Sequence, residues 1–355
     1  ASLGKYPEVS LAEAREKRDQ MRKLVANGID PVQSQKADKE AKKLAQTNSF
    51  EAVARIWFEG WKAARSPRHA EYVIRRLEAD VFPVVGSRAV SEIQAPELVK
   101  MMKAIQRRGA LDIAKRCYQM TGQVFRYAIA HGIAERNPAG DIKPSDILPS
   151  RLKTNYARVD TKELPALLRA IEAYRGTPVT RLAIKLLSLT FVRTSELIGA
   201  RWDEFDLQAG QWRIPAERMK MRTEHIVPLS LQAMQILQIL HGVTGHSKLL
   251  FPGERIHNKP MSNNTILKAL ERMGYKGRMT GHGFRGLAST ILHEQGFDHA
   301  HIELQLAHQE RNAVSAAYNH ATYLKQRAKM MQWWGDYLDH LLRGNTMKIR
   351  KSVAY

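Results

Sequence analysis

Apolar positions recur at helical spacing over most of this chain. Phe50, Val53, Ala54 and Trp57 fall at i, i+3, i+4 and i+7, and Leu111, Ala114, Cys117, Thr121, Val124, Phe125 and Ala128 repeat the pattern. Such a period lays one apolar stripe along each helix and predicts a small helical bundle from Ser49 to about Ile133. Upstream, Ser10-Leu11-Ala12-Glu13 is a capping box, and Gly28 followed by Pro31 closes the helix it starts. That helix carries Arg15, Lys17, Arg18, Arg22 and Lys23, a charged face read as solvated. Residues from about 32 to 48 are polar and lysine-rich, as a linker or an exposed helix would be. Asn137-Pro138-Ala139-Gly140 ends the bundle, and Pro144 and Pro149 stiffen a basic connector reaching about Val159.

The period changes once. A second capping box, Asp160-Thr161-Lys162-Glu163, precedes helices over roughly 161–174 and 178–191. Residues 204–207, 211–215 and 225–229 then read as three short strands, the first two joined by a Gln208-Ala209-Gly210 turn. Helices resume from Ser230 onward, and no internal repeat is present. The expected fold class is therefore mainly α and multidomain: a helical bundle, then a mostly α domain with a small three-stranded antiparallel sheet.

Charge narrows the function. Lys and Arg outnumber Asp and Glu by 56 to 35, giving +21 and a sequence pI near 10.1. Such an excess favours a polyanionic partner, most often nucleic acid, through phosphate neutralisation and counterion release. A membrane partner is disfavoured, because no stretch approaches ~18 uninterrupted apolar residues. The single cysteine, Cys117, leaves no internal disulfide framework, fits a reducing cytosol and lies on an apolar helical face as a core residue. No secretory signal is visible, and the opening at Ala1 leads us to expect a missing N-terminal piece. Within the bundle, Lys62, Arg65, Arg68, Arg107 and Arg108 are interleaved with the apolar stripes, together with Arg75, Arg76 and Lys103. Singly these read as solvated, and together they could coat a DNA-facing side.

Six residues look like one phosphate-handling site: Arg193, Lys220, His282, Arg285, His308 and Tyr318. A phosphodiester repels nucleophiles and has a poor alkoxide leaving group. A metal-free enzyme must neutralise its equatorial oxygens, activate a nucleophile and protonate the departing oxygen. Arginine suits the first task, because it stays charged and offers a planar fork to two oxygens. His282 and Arg285 form H-x-x-R, a spacing that puts both on one helical face, and Gly281 and Gly283 are expected to allow close approach of backbone to a ligand. Lys220 sits between the second and third strands, where a hairpin tip can enter a minor groove and deliver a proton. Arg218 and Arg222 flank it as alternative DNA contacts. Tyr318 is the candidate nucleophile, with Tyr323 as its rival; the ten-residue step from His308 favours Tyr318. Glu196 is expected to steady Arg193 through an ion pair.

Order and context carry a resemblance. Arg193-Thr194-Ser195-Glu196-Leu197, Thr280-Gly281-His282-Gly283-Phe284-Arg285, Leu306-Ala307-His308 and Ala317-Tyr318-Asn319-His320 resemble the catalytic signature of the tyrosine recombinases, the phage-integrase family. The likeness covers nearly the whole chain, and Met330-Met331-Gln332-Trp333-Trp334 is similar to the stretch after the tyrosine in P4-like prophage and pathogenicity-island integrases. It implies a DNA breaking-rejoining enzyme fold with five parts. These are an arm-type DNA-binding remnant and linker over 1–48, a core-binding domain over 49–140, a linker over 141–159, a catalytic domain over 160–340 and a basic tail over 341–355. It further implies that Tyr318 forms a 3′-phosphotyrosyl link, that Arg193, Arg285 and His308 hold the phosphate, that Lys220 is the general acid, and that His282 assists proton transfer. No metal, ATP or other cofactor would be needed. Implied partners are attachment-site DNA, a homotetramer on that DNA, and possible accessory proteins of the excisionase and integration host factor type, all in the bacterial cytosol. One departure is Leu-Ala-His where the family commonly has Leu-Gly-His, a change expected to be neutral.

Rival readings differ in chemistry. His282, His293, His299, His301, His308 and His320 are dense enough to suggest a metal-dependent nuclease, but no H-E-x-x-H occurs and no carboxylate pair accompanies two histidines at ligand spacing. A non-enzymatic DNA-binding protein derived from an integrase would keep the basic surface and form no covalent intermediate. A type IB topoisomerase shares the chemistry without strand exchange.

Overall fold

The computed structural model describes residues 7–28, 30, 32–33, 36, 47–149, 157–308 and 322–344. The chain divides into two compact units, residues 1–152 and 153–355. In the first unit, α1 (Leu11–Ala26) starts as the capping box predicts: the Glu13 carboxylate accepts from the Ser10 N–H at 2.8 Å, and Gly28 ends the turn at φ 75°. Most of the polar stretch that follows lies outside the described residues.

The bundle consists of α2 (Phe50–Lys62), α3 (Pro67–Arg76), α4 (Ala95–Arg107) and α5 (Leu111–Ala130). Its core takes the stripes read from sequence, with Phe50, Val53, Ala54, Cys117, Val124, Phe125 and Ala128 all buried. Burial pushes the Cys117 thiol up to about 12, so it is an inert packing group. One segment departs from the α period: Leu77–Gly86 is a π-helix with Pro83 inside it. The wider turn carries Asp80 into the interior, where Arg108 bonds it and Arg76 stands 3.7 Å away. Arg108, anticipated as a DNA contact, is thus the partner of a buried carboxylate. Of the other basic residues named for this surface, Lys62, Arg65, Arg68, Arg75, Lys103 and Arg107 are exposed and Arg76 is half-buried.

The second unit holds α6 (Leu164–Glu172), α7 (Pro178–Thr190), α8 (Thr194–Ile198), strands β1 (Phe205–Asp206), β2 (Gln211–Ile214) and β3 (His225–Pro228), then α9 (Leu231–Thr244), α10 (Thr265–Leu270), α11 (Gly283–Glu294), α12 (His299–Gln305) and α13 (Leu324–Leu342). The sheet is antiparallel in the order β1-β2-β3, with Trp212 opposite Phe205 and Val227, and Ile214 opposite His225. Trp212, Ile214 and Val227 point into the core while Arg213 faces outward, the alternation expected of a sheet with one solvated face. The C-terminal helix α13 packs on its own domain. Trp334 is buried and donates to the Ser188 carbonyl at 2.9 Å, and Met330, Met331 and Leu338 are buried beside it.

Candidate active site

Backbone geometry at the end of α7 delivers the first arginine. Phe191, fully buried, takes a left-handed conformation at φ 39° and stops the helix, and Arg193 becomes the N-cap of α8. The Glu196 carboxylate accepts from the Arg193 N–H at 2.8 Å and from its Nη1 at 2.7 Å. A carboxylate 2 % exposed therefore fixes a guanidinium 20 % exposed, leaving the outer edge of the fork for a ligand. Arg193 Nη2 also donates to the Ala307 carbonyl at 3.3 Å.

Arg285, on α11, is 4 % exposed and meets the same two segments. Its Nη1 donates to the Phe191 carbonyl at 3.0 Å, and its Nη2 to the Leu306 carbonyl at 2.6 Å. The same Nη2 stands 3.2 Å from His308 Nε2. Burial first, and the Arg193 charge second, lower its pKa to about 10, so it is still a cation at neutral pH. Its direct partners are carbonyls and an imidazole, so its charge is poorly balanced. A phosphate oxygen would complete the balance.

His308 follows a Schellman turn that closes α12: its N–H bonds the Glu303 carbonyl at 3.0 Å, and the Ala307 N–H bonds the Leu304 carbonyl at 3.0 Å. The imidazole Nδ1 lies 2.9 Å from Glu303 Oε2. A guanidinium can only donate, so Nε2 accepts from Arg285 and Nδ1 carries the hydrogen toward Glu303. His282 is the N-cap of α11 and exposed to solvent. Partial burial holds its proton affinity below the usual histidine range, followed by the charges of Arg285, Arg193 and His308. Four of the six sequence-predicted residues thus share one electrostatic field.

The glycines beside His282 have a packing role. A Cβ at Gly281 would stand 2.4 Å from Thr194 Oγ1, and one at Gly283 would stand 2.8 Å from the Ala157 carbonyl. Gly281 thus lets the His282 turn pack closely on the Arg193 turn, and Gly283 lets it pack on the Ala157 carbonyl and Met279. Ala307 is also a finding. It sits at φ 48°, in the region that favours glycine, so Ala in place of Gly is strained there rather than neutral.

Lys220 is exposed in the β2–β3 connection, and among the described residues it makes no hydrogen bond or ion pair with the cluster. Arg222 is exposed in the same turn at φ 53°. Arg218, expected as a DNA contact, is turned inward: its side chain is 16 % exposed and bonded to the Glu204 carboxylate and the Glu196 carbonyl. Tyr318 lies outside the described residues. Tyr323, its rival, precedes α13 at φ 43° with its ring 4.8 Å from that of His301. Sequence reasoning missed Glu303, whose only signal is a carboxylate five positions before His308. It also missed Arg158, which donates to the Gly286 carbonyl at 2.6 Å and so buttresses α11. Among the described residues no group of three metal-ligating side chains converges, and no helix is long and apolar enough to cross a membrane.

The family models described as phage integrase central domain, phage integrase family and arm DNA-binding domain match residues 50–145, 157–325 and 1–38. The chain is 43% identical over 355 residues to the integrase of Enterobacteria phage P4, covering 95% of this chain and 80% of that protein. It is 41% identical over 354 residues to the putative protein IntB of Escherichia coli K12, covering 95% of this chain and 88% of the other. Its fold is similar to lambda integrase, solved as a tetramer bound to a Holliday junction, with a TM-score of 0.63 at 15% identity over 88% of this chain and 90% of that one. Likeness at this identity over 95% of the chain, joined to the paired arginines and histidines described above, places the chain in the phage integrase family of tyrosine-type, site-specific DNA recombinases.

Proposed function

We propose that this recombinase cuts and rejoins attachment-site DNA through a covalent link to Tyr318, integrating or excising a prophage or genomic island. In this reading Arg193 and Arg285 each hold a non-bridging oxygen of the scissile phosphate, and His308, oriented by the Glu303 carboxylate 2.9 Å from its Nδ1, contacts the same phosphate. The Tyr318 oxygen forms a bond to phosphorus as the bond to the 5′-oxygen breaks. Lys220 supplies the proton for that oxygen, and His282, kept neutral by partial burial and then by the neighbouring guanidiniums, assists transfer of the phenolic proton. The DNA backbone stays activated in the phosphotyrosine, so resealing by a 5′-hydroxyl needs no nucleotide cofactor.

The observation that carries this reading is the convergence on the Phe191 and Leu306–His308 segments. Two guanidinium groups from α8 and α11 bond these backbone carbonyls, and among the described residues the buried cation there has no carboxylate in direct contact. We assign residues 49–140 to gripping the core site, residues 1–48 to arm-type DNA and residues 160–340 to catalysis. By analogy with the DNA-bound lambda integrase tetramer, the chain acts as a homotetramer on DNA in the bacterial cytoplasm, with excisionase and integration host factor as candidate accessory proteins.

Trapping on nicked attachment-site DNA tests the assignment. The native chain should form a covalent adduct resistant to denaturant, and Tyr318→Phe should bind the same DNA nearly as well and form none. An adduct that persists in Tyr318→Phe and maps to Tyr323 overturns it.

A further inference from the structure

We infer that Arg218 is a positioning residue that holds Lys220 at the scissile phosphate, by tying the base of the lysine turn to the helix that sets Arg193. The inference rests on the reading of Lys220 as the general acid.

Arg218 ends a one-turn 3-10 helix, Ala216–Arg218, which Pro215 separates from β2. Its guanidinium reaches back across the domain. Nη1 bonds both oxygens of Glu204, and Nη2 bonds the carbonyl of Glu196, the residue whose carboxylate holds Arg193. Glu204 is itself fixed by the indole of Trp212 on β2, which donates to it at 2.9 Å. Gly199 leaves room for the group: a Cβ there would stand 3.3 Å from Arg218 Nη2. An almost buried carboxylate and cation are thus bonded to each other and to backbone, the arrangement in which removing one partner is costly.

Lys220 hangs from this anchor. Met219 is buried at 5 % exposure, and its carbonyl accepts from the Arg222 N–H at 3.1 Å, so residues 219–222 form a turn. Lys220 is the second residue of that turn and points to solvent, while residues 221–224 are exposed. One side of the lysine's backbone is therefore held by the Met219 plug and the Arg218 clamp, and the other is open to water. Orientation of the ammonium toward a leaving oxygen depends on the held side.

Leaving-group chemistry separates positioning of the acid from damage to the site. A 5′-bridging phosphorothiolate departs as a thiolate and needs no proton. Arg218→Gln should slow cleavage of ordinary DNA at least tenfold and cut phosphorothiolate DNA within about threefold of the native rate. Lys220→Ala in parallel should show the same rescue, more strongly. Glu204→Gln, which weakens the clamp from its other end, should behave like Arg218→Gln. If Arg218→Gln fails to fold, Arg218→Lys carries the test, since it keeps a charge beside Glu204 and loses the fork to the Glu196 carbonyl. Equal slowing on both substrates would mean that Arg218 acts through Arg193 or the fold at large, and native rates on both would mean that the clamp is dispensable; either overturns the inference. Failure of rescue in Lys220→Ala itself would instead remove Lys220 as the acid.

Discussion

Ala307 shows how much one residue can hold. Its carbonyl takes a hydrogen bond from Arg193, it closes α12, and it does both at φ 48°, where a Cβ is unfavourable. Ala307→Gly should therefore stabilise the protein by about 1 kcal/mol, the strain relieved less the extra freedom glycine gives the unfolded chain. Denaturant titration read by circular dichroism would show it as a higher midpoint at unchanged slope; a lower midpoint would mean that the turn is not strained. At this scale the sequence was informative wherever a residue type fits only one chemical task. Arg193, Arg285 and His308 could be picked out because two arginines and a histidine in those contexts suit an anion. Glu303 and the inward turn of Arg218 could not. A glutamate five positions before a histidine, or an arginine two before a lysine, looks the same in sequence whether it is solvated or clamped. Only the folded backbone decides.

Elements meet beneath the site in a buried polar knot. Arg327 of α13 is 3 % exposed and bonds Gln305 at the end of α12 at 2.7 Å and the Ile226 carbonyl of β3 at 2.6 Å. His225 of β3, 7 % exposed, lies beside it. Burial first, then the charge of Arg327, drops the His225 pKa to about 3; the charges of Arg285 and Arg193 act the same way, and a hydrogen bond to the Gln305 backbone opposes them. The folded value lies below the unfolded value of about 6.5, so between the two the unfolded chain binds the extra proton and folding weakens as pH falls. This group's contribution is fully present above about pH 7 and is lost toward pH 3 at a slope of up to about 1.4 kcal/mol per unit. Denaturant unfolding of the native chain and His225→Gln between pH 7 and pH 4 should give a shallower loss in the variant. Parallel curves would exclude His225 as a titrating element. The helices and strands that meet here were legible as hydrophobic periods, because burial of a stripe or an alternate face leaves a mark on spacing. The knot was not, since Arg327 and His225 break the apolar pattern, and neither was the π-helix at Leu77–Gly86, whose residues read as ordinary helix until Asp80 is seen inside.

At the scale of the whole molecule, a net charge of +21 is a statement about what binds, and the partner status of each basic residue decides how much it contributes. In the first unit Arg68 and Arg107 are exposed with no charged partner among the described residues, and Arg65 lies over the Trp61 ring at 5.2 Å. These can meet a phosphate without first giving up an ion pair. Lys62 differs, with its ammonium 2.6 Å from Glu59, and Arg108 differs more, because its bond to Asp80 neutralises a buried carboxylate. Deleting one phosphate-bound cation should lower the slope of log binding constant against log salt by about 0.9. Replacing Arg65, Arg68 and Arg107 together by alanine should therefore flatten the slope by roughly 2–3 and weaken binding similarly on specific and random DNA. Lys62→Ala should change it less than any one of those arginines. Arg108→Ala should act mainly on stability, by stranding the Asp80 charge. Binding titrations on both DNAs across a salt series, with unfolding curves for each variant, distinguish these outcomes. An unchanged slope in the triple variant would move the DNA-facing side of the bundle elsewhere.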